Sequence, residues 1–96
     1  MKRDAIKIVA YCGFGEAPVM WRQDETLDDA VNRAVRRLYL DRGALVSGDW
    51  RIVGTDTKAV EIEAPVRAKN WSELGVIRCR LDRQDGSLVR WFRRVG

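Results

Sequence analysis

One stretch of this chain dictates most of what it can become. Leu27, Ala30, Val31, Ala34, Val35 and Leu38 fall at i, i+3, i+4, i+7, i+8 and i+11, one apolar stripe along a helix. Thr26 is placed to cap its N-terminus, and Asp28 and Asp29 fall in the first turn, where the helix dipole favours anions. Arg33, Arg36 and Arg37 lie off the stripe in the second half, with Asp29 and Arg33 spaced to pair. Gly43 is a natural residue to follow the C-terminus. The spacing predicts a helix over Thr26–Asp41. A stripe of this width has to be buried, and a 96-residue chain offers only its own strands to bury it against.

Those strands are legible as period-two alternation and β-branched content. Asp4–Tyr11 reads as the first. Cys12–Glu25 is a longer connection punctuated by Gly13, Gly15 and Pro18. It carries Phe14, Met20 and Trp21, too many large apolar groups for a solvated loop, so part of it is expected to fold back as a strand around Val19–Arg22 or to cover the sheet edge. After the helix, Trp50–Gly54 and Ala59–Ala64 read as strands joined by a turn at Thr55–Lys58. Pro65 is expected to end the second of them or to mark an edge. Arg67–Leu74 is polar and loop-like around Trp71. Val76–Leu81 and Leu88–Val95 read as a hairpin turning at Asp85-Gly86. The expected fold is α+β: a single domain over residues 1–96, with one amphipathic helix on a mostly antiparallel sheet in the order β-α-β-β-β-β. An antiparallel sheet covered on one side leaves its other face to solvent or a partner.

The chain contains no histidine, which excludes Ser-His-Asp and Cys-His nucleophilic arrangements and histidine-based metal sites. Cys12 and Cys79 are too few for a disulfide framework or a zinc site and read as reduced thiols, with the cytosol as the default compartment. Gly13-Phe14-Gly15 lacks the third glycine and the adjoining helix of a nucleotide-binding loop and reads as a turn. Asp28/Asp29 is explained by helix capping and Glu61/Glu63 by a strand's solvent face. Asp24/Glu25 does not have the spacing of a calcium loop. No apolar run is long enough to span a bilayer, and Met1-Lys2-Arg3-Asp4 leads into a short strand rather than a signal peptide. The expectation is therefore a non-enzyme without cofactor or metal and without a membrane partner.

The net charge is +4, and the segment from Arg78 onward accounts for all of it, with six arginines against Asp82 and Asp85. Arginine favours bidentate contacts to phosphate or carboxylate. If Leu88–Val95 is a strand, either register leaves a ring beside arginines, because no choice buries both Trp91 and Phe92. With Trp91 inward, Arg78, Arg80, Arg90 and Arg94 gather around Phe92 on one sheet face, suited to phosphates and bases or to an acidic protein surface. The bland alternative is a solvated face with some arginines paired to Glu61 and Glu63 across the sheet. Trp71, in a polar loop, is the best candidate for an exposed anchor. The expected partner-binding residues are thus Arg78, Arg80, Arg90, Phe92, Arg94 and Trp71.

The element order from Ala5 to Val95, in a chain under 100 residues without catalytic groups, resembles small phage and mobile-element inhibitors of the anti-CRISPR type. That resemblance rests on architecture alone. It implies a stoichiometric protein that docks on a nucleic-acid-handling complex, and the basic balance favours acidic protein patches or bound nucleic acid over DNA mimicry. Three functions are expected in order: an inhibitor or adaptor binding a protein or nucleoprotein complex, a direct nucleic-acid binder, and a homo-oligomer whose sheet is completed by a partner strand.

Overall fold

The computed structural model describes residues 5–40 and 42–95. The expected strand start at Asp4, the helix end at Asp41 and the N-terminal reading of Met1–Asp4 lie outside the described residues. Strands β1 (Ala5–Cys12) and β2 (Gly15–Arg22) form a hairpin across Gly13 and Phe14, paired in unbroken register from Ala5↔Arg22 to Cys12↔Gly15. Helix α1 (Leu27–Leu38) follows, then a meander of β3 (Arg51–Thr55), β4 (Ala59–Arg67) and β5 (Glu73–Asp82), then helix α2 (Ser87–Val95). The sheet order is β2-β1-β5-β4-β3 and every neighbouring pair is antiparallel. The connection through α1 carries the chain from one sheet edge to the other, and the meander returns it beside β1.

Period two sorts the side chains. Ile8, Val19, Ile62, Ile77 and Leu81 point to the core face, where both helices lie, and are almost wholly buried. α1 packs chiefly over β2 and β1, and α2 over β5. The other sheet face carries Lys7, Tyr11, Arg51, Glu61, Glu63, Arg78 and Arg80. β2 is longer than the expected Val19–Arg22 because Gly13 and Phe14 make a two-residue turn. β4 runs through Pro65 to Arg67. The proline is tolerated because β3 pairs with β4 only up to Arg51↔Glu63, so no β3 carbonyl lies opposite its missing N–H.

α1 begins as expected, with Thr26 Oγ1 accepting from the Asp29 N–H at 3.0 Å. It ends earlier than expected, at Leu38 with Tyr39 as its C-cap. The left-handed residue directly beyond the cap is Leu40 (φ 53°); Gly43 is left-handed too (φ 75°) but lies further along the connection. Beyond it the chain crosses the core face beneath Asn32, whose side chain donates to the Val46 carbonyl (3.1 Å) and accepts from the Val46 N–H (2.7 Å). Trp50 Nε1–H donates to Asp28 Oδ1 at 2.7 Å and fastens the same connection to the start of α1.

The largest correction concerns Leu88–Val95, which is helix rather than strand. Asp85 Oδ1 accepts from both the N–H and the hydroxyl of Ser87, and the Arg90 N–H reaches the Gly86 carbonyl, closing the first helical turn. Ser87, Leu88 and Trp91 then share the inward face. Trp91 is 4% exposed, and its indole N–H has no hydrogen-bond partner among the described residues. An unpaired buried donor costs about 1–3 kcal/mol, so Trp91 is held in place by the volume of its rings. Among the described residues there are therefore two helices, in the order β-β-α-β-β-β-α.

Candidate functional site

The expected arginine face does not assemble. Arg78 and Arg80 are on the open sheet face, whereas Arg90, Phe92 and Arg94 ride on α2 across the sheet from them. On the open face the charges are matched. Glu63 accepts from Arg78 Nε at 3.0 Å and from Arg51, and Arg80 reaches Asp56 at 3.1 Å and Glu61 at 3.5 Å. Three guanidinium groups face three carboxylates, the cross-strand pairing that the bland alternative anticipated. Glu63 is covered by the arginine side chains themselves rather than by depth in the protein, and Arg51 first, then Arg78, hold its carboxyl below the usual range. Mutually satisfied surface pairs leave little net charge to attract a polyanion.

On the helix side, Arg90 acts as a staple between α2 and the end of β2. Its guanidinium stacks 4.2 Å from the Trp21 ring centroid and donates to the carbonyls of Trp21 (2.7 Å) and Arg22. Trp21 Nε1–H in turn donates to the Glu25 carbonyl at 3.1 Å. A cavity of about 330 Å³ opens here, lined by Trp21, Gln23, Glu25, Arg90, Arg93 and Arg94. Phe92 is half exposed on α2, with its ring tilted against that of the buried Trp91 at 4.8 Å between centroids.

Glu25 is held by a different arginine. Its carboxylate accepts from Arg33 at 2.6 and 2.7 Å and from the Arg22 N–H at 2.8 Å. The Arg33 hydrogen bonds, aided by that backbone donor, lower its pKa from 4.5 to about 2 against the opposing effect of burial. A depressed carboxylate pKa contributes stability that is complete above pH 4.5 and is lost as the pH falls toward 2. An NMR titration of the Glu25 carboxyl carbon should give that low value, and Arg33→Gln should move it back up toward 4.5. An unchanged titration in the variant would remove Arg33 as the cause.

A third region escaped the sequence reading. Phe14, at the β1–β2 turn, meets Tyr39 edge-on with ring centroids 5.0 Å apart. With Leu38, Leu40 and Arg42 these rings line an almost wholly apolar groove of about 300 Å³. The antiparallel register brings the β4–β5 turn to the same end of the sheet, and the Tyr39 hydroxyl lies close against Gly75. That turn displays Trp71. Phe14, Leu40 and Trp71 are 70, 72 and 66% exposed. Only Trp71 among them was singled out as an anchor. Phe14 was legible as a large apolar group in a glycine turn, but Leu40 was absorbed into the helix, and only the folded end of α1 turns it outward.

Cys12 and Cys79 are both free thiols, and burial pushes the Cys79 thiol far up, which makes it inert. Among the described residues there is no cluster of three metal-ligating side chains, and no helix is long and apolar enough to cross a membrane. No protein-family model, no curated protein and no solved structure matches the chain.

Proposed function

We propose that this chain is a non-catalytic binding module, a small inhibitor or adaptor that docks on a protein or nucleoprotein complex through the sheet end that carries Phe14, Leu40 and Trp71. The observation that carries this reading is strain spent on display. Of three described non-glycine residues with positive φ, two are Leu40 (53°) and Trp71 (67°), both large, apolar and exposed. A left-handed L-residue costs about 1 kcal/mol or more, and strain of this kind concentrates at functional surfaces. The β4–β5 turn is built to hold Trp71 there: Trp71 N–H donates to the Ala68 carbonyl, Ala68 N–H to the Ser72 carbonyl, and Asn70 Oδ1 accepts twice from Ser72. An inhibitor of the anti-CRISPR type is one member of this functional class. Replacement of the last expected strand by α2 removes part of the architectural support for that narrower assignment. Direct nucleic-acid contact through Arg78 and Arg80 is disfavoured by their carboxylate partners.

The two glycine variants separate fold from function. Trp71→Gly and Leu40→Gly should each stabilise the domain by about 1 kcal/mol, a rise in Tm of about 4–8 °C for a chain of this size. Against a partner captured by the wild-type protein, Trp71→Gly should cost about 2 kcal/mol of binding. Variants that bind the same partner with wild-type affinity would sink the proposal.

A further inference from the structure

We propose that the cavity between the end of β2 and α2 is a binding site for a phosphate group, held by Arg90, Arg93 and Arg94. The site goes beyond the docking role and uses none of its residues. Arg90 is the centre of the case. Its neighbours are two backbone carbonyls and the face of Trp21, all of them neutral. Partial burial pulls its pKa down, and Glu25 opposes this only through space. A desolvated guanidinium is ordinarily balanced by a carboxylate in direct contact. Glu25, which also lines this cavity, has both carboxylate oxygens engaged by Arg33. Among the described residues, no carboxylate forms an ion pair with Arg90, Arg93 or Arg94.

Helix geometry brings the other two cations in. Arg93 and Arg94 follow Arg90 by three and four residues, the spacing that puts side chains on one helix face. The negative end of the α2 dipole accounts for basic residues in its last turn. It does not account for Arg90, one turn earlier and fastened against Trp21. The forks of Arg93 and Arg94, beside Gln23 and the N–H groups that Arg90 has left after its two carbonyl contacts, offer the multiple, charge-assisted donors that phosphate oxygens accept. The neighbouring cavity between α1 and β2, of about 440 Å³, is a weaker candidate, because its Arg33 is already committed to Glu25 and to the Met20 carbonyl.

The phosphate has two sources with the same chemistry, a free phosphorylated small molecule or a nucleic-acid backbone. Calorimetric titration at low salt with inorganic pyrophosphate, and separately with a short oligothymidylate, tells them apart. Pyrophosphate binding that weakens with added salt is expected, with an affinity loss of about tenfold or more in Arg93→Gln/Arg94→Gln. Both residues are exposed, so the variant keeps the fold. Arg36→Gln/Arg83→Gln removes the same two charges elsewhere and should bind within about twofold of wild type. Oligothymidylate binding with the same variant pattern identifies a phosphodiester source, and pyrophosphate binding alone identifies a small phosphorylated ligand. Absence of binding to either probe, or equal loss in the Arg36/Arg83 control, would overturn the site. Phe14 and Trp71 variants leave pyrophosphate binding intact, so the fate of this site and that of the docking surface are read separately.

Discussion

Trp21→Ala should lower the unfolding free energy by about 3–5 kcal/mol, the largest loss expected of any single substitution in this domain. Trp21 is 2% exposed and is among the largest wholly buried side chains. Three consequences of its removal add together. The core loses an indole between α1 and the β1–β2 hairpin, the Glu25 carbonyl loses its donor, and Arg90 loses the ring on which it stacks. Because Arg90 is what fastens α2 to β2, the variant should also loosen α2. Urea unfolding of Trp21→Ala, Arg90→Met and the double variant would report both effects. A coupling of about 1 kcal/mol is expected from the cation–π contact, and a loss below about 2 kcal/mol for Trp21→Ala would show that the core re-closes without it. A domain of this kind has only about 5–15 kcal/mol to lose.

Asn32→Ala is expected to cost about 2–3 kcal/mol, although it removes no apolar contact of size. The Asn32 amide satisfies both backbone groups of Val46, a residue only 2% exposed, and so imitates a second strand neighbour for a segment whose Leu45 already pairs with Arg67 of β4. Truncation strands a buried N–H and a buried carbonyl together, and the cost comes from their desolvation. Hydrogen exchange at the Val46 amide should accelerate more than at any α1 amide. Asn32→Asp keeps the acceptor, loses the donor and sets a carboxylate against a carbonyl, so it should not rescue. A cost under about 1 kcal/mol would mean that the Leu45–Arg67 backbone pair, the Arg67–Asp49 ion pair and the Trp50–Asp28 hydrogen bond hold this connection without Asn32.

Neither residue could be weighed from the sequence. Asn32 sits on the flank of the apolar stripe and looks like any polar helix position. Its partner is Val46, fourteen positions away, and nothing local announces the pairing. Trp21 was recognisable as bulk for a small core, but its role under Arg90 depends on a contact between residues 69 positions apart. Phe14 and Trp71 were visible as large apolar groups in turns. Their company at one end of the sheet follows from strand order, which alternation does not encode.

α2 is the instructive failure. The Asp85-Gly86 pair and the alternation of Leu88, Arg90, Phe92 and Arg94 suggested a hairpin, and the four-arginine face was built on it. The contrary signal was present in the difficulty itself, since no strand register buried both aromatic rings. Leu88 and Trp91 at helical spacing, after an Asp-Gly-Ser start, give a consistent inward face. A nine-residue segment carries too few turns for periodicity to decide between helix and strand. Packing against β5 decided it.

By itself the sequence determined whatever depends on neighbours in the chain: α1 and its Thr26 cap, the turn at Gly13-Phe14, the alternation that sorts core from open sheet face, and the opposite charges that pair across it. Each is a matter of backbone stereochemistry or period, felt within a few residues. Only the tertiary structure decided the state of α2, the strand order β2-β1-β5-β4-β3 and the separation of Arg78 and Arg80 from Arg90 and Arg94 by the sheet. These arise from the burial of one apolar surface by another far away in sequence. That free energy depends on which surfaces meet, and a local pattern says only that a surface must be covered, not by what.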